Sequence, residues 1–176
     1  FIKPDSPNVF DTISLDCHFG AQFERELPVN EHYRAQIIKY SREQLKNSVC
    51  AKYDWDFSHP NGGSFFNSGM IVYNCENMVE VLGTTTPKEF MARNDFRDFV
   101  DGIGPFRWQT DQIMLNYWAK KDNLTVERID WKYNALFSAL TKGSISKAHF
   151  IHFFMRHKLP ANGENIAQLM SAIDYI

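Results

Sequence analysis

No stretch of the chain holds the roughly 20 consecutive apolar residues that a membrane-spanning helix requires, so membrane association is not evident in it. Cysteine is scarce. Cys17, Cys50 and Cys75 are odd in number, far apart and without metal-ligand spacing, which excludes a disulfide framework and a zinc site. The expectation is reduced thiols in or near the core. An excess of one charge is lacking too: 19 Lys+Arg against 21 Asp+Glu leave a formal charge of -2. That provides no basic field to hold nucleic acid, and no local basic patch replaces it. Internal repeats and low-complexity segments are also missing. Apolar mass is what the chain does have. With 44% hydrophobic and 15% aromatic residues over 176 positions, it suffices for one domain with a sizeable core.

The order of elements reads as mixed strand and helix, an α/β class. Ser6-Pro7 places a hydroxyl at a helix N-cap and proline at the first helical position, predicting a short helix there. Asn30 caps a helix over 30–46, with Tyr33, Ile37, Ile38 and Leu45 as its apolar set. Residues 54–63 are polar and turn-forming, and residues 64–74 end in an apolar run suited to a buried strand. A helix over 76–82 closes on Gly83, and Thr86-Pro87 starts another with Phe90 and Met91 facing inward. Gly102 to Pro105 breaks the chain. Thr110 caps a helix to Lys121 on Ile113, Met114, Leu115 and Trp118. Residues 124–129 and 148–154 read as strands, and an amphipathic helix over 164–176 closes the sequence on Ile166, Leu169, Met170 and Ile173.

Polar groups interrupt three of these apolar elements. In Phe66-Asn67-Ser68-Gly69, a buried Asn must be hydrogen-bonded, and the small residues after it let a ligand such as a sugar approach the backbone. The alternative is a strand entry whose Asn satisfies a neighbouring loop. At Thr110-Asp111-Gln112, a carboxylate and an amide at a helix start suit neighbouring hydroxyls of a polyol, while a plain capping Asp explains the same residues. In 148–160, His149 and His152 differ by three and face opposite sides of a regular strand, so one is free to be functional and the other structural. A neutral imidazole there suits a divalent-metal site completed by carboxylates, and Lys158 suits a phosphate. A lone strand histidine also serves simply as a satisfied core or surface residue.

Taken in order, these stretches resemble the C-terminal part of a nucleotide-sugar glycosyltransferase of the GT-A fold, most like family 8 with its glycogenin-like and galactosyltransferase relatives. The family's aromatic-Asn-Ala-Gly strand ending in Asn is similar to residues 66–74. Its Asp-Gln helix start followed by Asn is similar to Asp111-Gln112 with Asn116. Its Tyr-Asn is similar to Tyr133-Asn134, and its His-Phe with a later lysine to His152-Phe153 and Lys158. Ser68 stands for Ala, Met155 for a glycine after the histidine, and Leu159-Pro160 for Pro-Trp after the lysine.

The resemblance implies a Rossmann-like mixed sheet flanked by helices, with 1–176 a single partial transferase domain. The N-terminal nucleotide-binding half would precede a segment similar to Phe1-Ile2-Lys3-Pro4, and its Asp-x-Asp pair would hold Mn²⁺ or Mg²⁺. It further implies Asn67, Ser68, Gly69, Asn134 and Lys158 as substrate-binding residues. Asp111 is implied as a donor-sugar contact, Gln112 as the residue beneath the anomeric carbon and His152 as a metal ligand. The partners implied are a nucleotide-sugar donor and a glycan or other hydroxyl acceptor, the reaction is hexosyl transfer with retention, and this piece alone is expected to be inactive.

Two rivals stand beside this reading. One is a noncatalytic carbohydrate-binding or degenerate transferase-fold domain; the other is a hydrolase using Asp54, Asp56 and His59, which needs carboxylates at a defined separation. Asp54-Trp55-Asp56 matches Asp-x-Asp by letters but lies in a turn-forming loop, so it is read as a decoy. The thiols and the absence of an anchor in this stretch favour a cytoplasmic enzyme, and an anchor elsewhere would make it Golgi or membrane-associated. Asn123-Leu124-Thr125 is a glycosylation sequon of a kind that chance supplies easily.

Overall fold

The computed structural model describes residues 1–46, 48–104, 110–141, 143–153, 157, 159–165, 167–168 and 171. At its centre is strand β1 (Phe19–Phe23), buried at every position. It pairs antiparallel with β2 (Phe66–Tyr73) and parallel with β3 (Val126–Arg128), giving a mixed sheet in the order β2-β1-β3. Between the Ala21–Ile71 and Phe23–Phe66 pairs the register shifts: β2 carries residues 67–70 opposite the single Gln22 of β1, so the irregularity falls on β2 at Asn67–Met70. A strand buried on both faces has no polar face to alternate with, which is why five residues carrying an internal Gly20 and Gln22 give no period-two signal. Gly20 is required sterically, because a Cβ there would lie 2.8 Å from Ile129 Cδ1 and would overlap Ile13 Cγ2.

β2 is an edge of this sheet rather than its buried centre: Phe66, Asn67 and Val72 are buried, while Gly69 and Tyr73 reach solvent. The apolar run 70–73 covers only one partner strand, so its outer residues stay accessible. Helix α1 (Glu31–Ser41) starts where expected, the Asn30 side chain accepting from Tyr33 N, and continues as a wider turn over Arg42–Lys46. Helix α2 (Cys75–Leu82) is capped by Asn74 and ends at Gly83 in the left-handed region, φ 55°. Helix α3 (Pro87–Met91) carries a full capping box between Thr86 and Glu89. Of its two expected inward residues, Phe90 packs on Phe96 and Trp118 at 5.0 and 4.8 Å, but Met91 is 42% exposed because a five-residue helix turns only one side to the core. A short α4 (Arg97–Val100) follows, and then α5 (Thr110–Lys121), which buries Ile113, Met114, Tyr117 and Trp118, the last two packing on Phe96, Phe99 and Phe90. The position before Thr110 lies outside the described residues, as does any cap there.

Several expectations change. The Ser6-Pro7 start is displaced to a 3-10 turn over Val9–Thr12 capped by Asn8, since Ser6 Oγ donates instead to His149 O at 2.9 Å. The expected strand over 124–129 narrows to β3. Of the strand expected over 148–154, position 154 lies outside the described residues; within 148–153 β5 takes Ile151–His152, paired parallel with β4 (Ala135–Leu136) and flanked by a bridge from Phe150 to Ile2. Cys17 and Cys50 are buried but Cys75 is exposed at the start of α2. Most of the expected closing helix over 164–176, including Ile166, Leu169, Met170 and Ile173, lies outside the described residues. Among the described residues no helix is long and apolar enough to cross a membrane.

Asn116 locks α5 to β2. Its Oδ1 accepts from Phe66 N at 2.9 Å and its Nδ2 donates to Phe66 O and Gln112 O, each at 2.8 Å, all buried. Asn116→Ala orphans both Phe66 backbone groups and is expected to cost about 1–3 kcal/mol for each, read by urea denaturation. A loss under about 0.5 kcal/mol would show that the clamp does not hold the helix to the strand.

Candidate functional site

The site begins with a charge in an improbable place. Glu24 follows β1 directly and its side chain is buried, with 4% of the residue exposed. A carboxylate removed from water is strongly disfavoured unless hydrogen bonds and charge replace the solvent. Two amides do part of this: Asn67 Nδ2 and Gln112 Nε2 donate to Glu24 Oε1 at 2.6 and 3.4 Å. Among the described residues Glu24 Oε2 has no hydrogen-bond partner. Burial therefore dominates and pushes the Glu24 carboxyl above its ordinary value, against the two amides and the nearby Arg34 charge that favour ionisation.

From Glu24 the polar contacts run outward through Asn67 at the start of β2. Asn67 Oδ1 accepts from Gly69 N at 2.8 Å and from Asn134 Nδ2 at 2.9 Å. Asn134 Oδ1 in turn lies 3.0 Å from His152 Nδ1. Asn134 ends the 3-10 turn Trp131–Asn134 that leads into β4, and His152 lies on the paired β5, so the parallel ladder sets their separation. Gly69 permits the close approach: a Cβ there would overlap His152 Cε1 and Nδ1 and would sit 2.7 Å from Asn67 Oδ1. Burial lowers the His152 pKa, so the imidazole is neutral at pH 7.

A second branch runs along the first turn of α5. Gln112 Oε1 accepts from Ser68 N at 3.3 Å while its Nε2 reaches Glu24, so the buried amide is held at both ends. Asp111, one residue earlier, is exposed, and its Oδ2 accepts from Ser68 Oγ at 3.0 Å. A hydroxyl and a carboxylate thus meet at the surface directly above two buried amides.

Asn67, Ser68, Gly69, Asp111, Gln112, Asn134 and His152 therefore stand in one connected hydrogen-bonded cluster; Lys158 lies outside the described residues. His149 is not in it: its ring packs on Tyr133 at 5.0 Å. The two histidines lie in different surroundings, but not through strand parity: β5 holds His152 and not His149. Asn134 is 1% exposed with its amide engaged on both sides, so it supports the site from beneath rather than presenting a free group to a substrate. Glu24 was not singled out from sequence. Its only signal there is a charge directly after an unrecognised strand.

Asp54, Asp56 and His59 serve the loop instead. Asp54 Oδ1 accepts from Asp56 N, and Asp56 takes Arg25 Nη1 and Ser58 Oγ, each at 2.6 Å, which with Arg25's charge holds its carboxyl below the usual range. Trp55 is buried with its Nε1 donating to Cys50 O.

The cluster borders a shallow hollow of about 380 Å³ lined by Gly69, Asn134, His152, Tyr133, Phe150 and Ile2. A tighter hollow of about 260 Å³ beside Phe23, Trp55, Lys120 and Arg128 includes none of the residues predicted for the site. Comparison of the chain with protein-family models, with curated proteins and with solved structures returned no match.

The Glu24 reading has a sign that can be measured. A carboxyl raised above its ordinary value of 4.5 contributes its full stability below that pH and loses it as pH rises through the folded value. Glu24→Gln removes that loss, so its stability relative to the unmodified chain is expected to rise between pH 4.5 and pH 8 in urea titrations. A difference that stays flat with pH would contradict the buried, raised carboxyl.

Proposed function

We propose that the chain is the donor-sugar and acceptor side of a metal-dependent nucleotide-sugar glycosyltransferase of the GT-A fold, moving a hexose onto a glycan or other hydroxyl acceptor. One observation carries the reading. Residues picked out from four separated stretches of sequence, 67–69, 111–112, 134 and 152, meet in a single hydrogen-bonded cluster at the end of a mixed sheet. A merely accidental resemblance gives no reason for them to touch.

The arrangement suits a sugar. Ser68 Oγ and Asp111 at the surface offer a hydroxyl and a carboxylate to neighbouring hydroxyls of a ring, and Gln112 lies beneath them as a neutral, fixed amide dipole. Such a dipole stabilises positive charge developing at an anomeric carbon without capturing it, provided it is held still, which its contacts to Ser68 N and Glu24 accomplish.

A Mn²⁺ or Mg²⁺ ion belongs to this reading, and when bound it would neutralise charge on the departing diphosphate. His152 fits as one ligand. Among the described residues, however, no group of three His, Cys, Asp or Glu side chains gathers as a metal site. The carboxylate ligands are proposed to come from an Asp-x-Asp pair preceding Phe1, and Lys158 is proposed to meet the phosphates. The reading keeps a cytoplasmic location as its working assignment.

The test uses the full encoded protein, with the sequence upstream of Phe1, assayed for Mn²⁺-dependent hydrolysis over a panel of nucleotide sugars. Asp111→Asn is expected to lower turnover of the accepted donor by about 10²-fold or more, with a stability change within about 0.5 kcal/mol because the residue is exposed. Sugar binding without turnover or metal dependence would favour the noncatalytic carbohydrate-binding domain. Unfolding of Asp111→Asn would return the residue to helix capping.

A further inference from the structure

The hydrogen-bonded chain from Glu24 to His152 has a direction, and a backbone group sets it. An amide N–H only donates, so the 2.8 Å contact from Gly69 N fixes Oδ1 as the Asn67 atom on that side and turns Nδ2 toward Glu24. The same Oδ1 faces Asn134, which must therefore present its Nδ2 at 2.9 Å. Asn134 Oδ1 is then the atom left for His152, 3.0 Å from Nδ1. An amide oxygen has no proton to give, so the hydrogen in that contact must sit on the ring.

We propose that Asn134 is a positioning residue that holds neutral His152 in the Nδ1–H tautomer, leaving Nε2 as the nitrogen that carries the ring's lone pair. The ring's orientation is constrained from the other side as well, because Gly69 leaves room for Cε1 and Nδ1 where any side chain would displace them. A hydrogen bond to one imidazole nitrogen fixes which nitrogen is left to act as an acceptor or ligand. Asn134 suits this task because it is buried, ends a turn and uses both ends of its amide. An Asp at 134 would still accept from Nδ1 but would lose the donation to Asn67; a Leu would do neither.

Only the use made of Nε2 rests on the transferase reading; the tautomer follows from the donors and acceptors alone. It is measured on the full encoded protein by two-bond ¹⁵N–¹H correlation of ¹⁵N-histidine at pH 8, with His152→Gln identifying the signal. The unmodified protein is expected to show a protonated Nδ1 and an unprotonated Nε2 at His152. Asn134→Leu is expected to convert the ring to the opposite tautomer or a mixture, and Asn134→Asp to restore Nδ1–H. A protonated Nε2 in the unmodified protein, or a tautomer indifferent to Asn134→Leu, would overturn the inference. Should Asn134→Leu not fold, the unmodified protein together with Asn134→Asp still decides it. A protein that shows Nδ1–H but turns over no nucleotide sugar would defeat the transferase reading and leave this one standing.

Discussion

Everything at this face of the molecule depends on the Asn67 amide. It is buried, and it joins the end of the central strand at Glu24, the edge strand's own backbone at Gly69 and the turn before β4 at Asn134. An amide in that position cannot relax toward water when a partner is lost, and each orphaned group then costs about 1–3 kcal/mol. The interaction is therefore selective as well as stabilising. It is met only when β1, β2 and the β4–β5 pair take up one relative arrangement, and that arrangement brings Asp111, Gln112 and His152 to the same place.

The polar cluster sits on an apolar platform that keeps it still. Phe19 meets Phe66 edge to face at 5.3 Å, and α5 lies across the sheet with Asn116 fastened to the Phe66 backbone. Gln112 is one helical turn before Asn116, so the contact that docks the helix also sets the height and rotation of the Asp111-Gln112 pair. On the opposite side of the helix, Arg93 bridges Asp95 and Asp122, and Lys121 reaches Asp95 at 2.7 Å, pinning the helix's C-terminal end. Groups held on a strand and a helix keep a fixed spacing better than groups on loops, as a site acting through oriented dipoles requires. Glu24 lies just past the carboxyl end of β1 and His152 at the carboxyl end of β5, the ends of parallel strands at which α/β proteins place their ligands.

The sequence made local punctuation legible and long-range geometry much less so. Asn30, Gly83 and the Thr86-Pro87 start were readable because a cap acts within one turn of itself. Asn67, Gln112 and His152 drew notice in the sequence because polar groups inside apolar runs must have partners, and the partners lie far away in the chain. β1 was not readable: five residues buried on both faces, with a Gly forced by Ile13 and Ile129, carry no periodicity. With β1 went Glu24, whose role exists only once Asn67 and Gln112 have been brought to it from 43 and 88 residues away. Ser6 misled because its hydroxyl satisfies His149 O, a partner 143 positions on, rather than the turn beside it.

The central claim is that this cluster holds a donor sugar, and a crystal structure of the full encoded protein with Mn²⁺ and the nucleotide sugar it accepts tests it most directly. The account predicts a hexose ring against Ser68 and Asp111, its anomeric carbon above Gln112 and His152 on the metal. A sugar bound instead at the Asp54–Asp56 loop, or at the hollow beside Trp55 and Lys120, would contradict it.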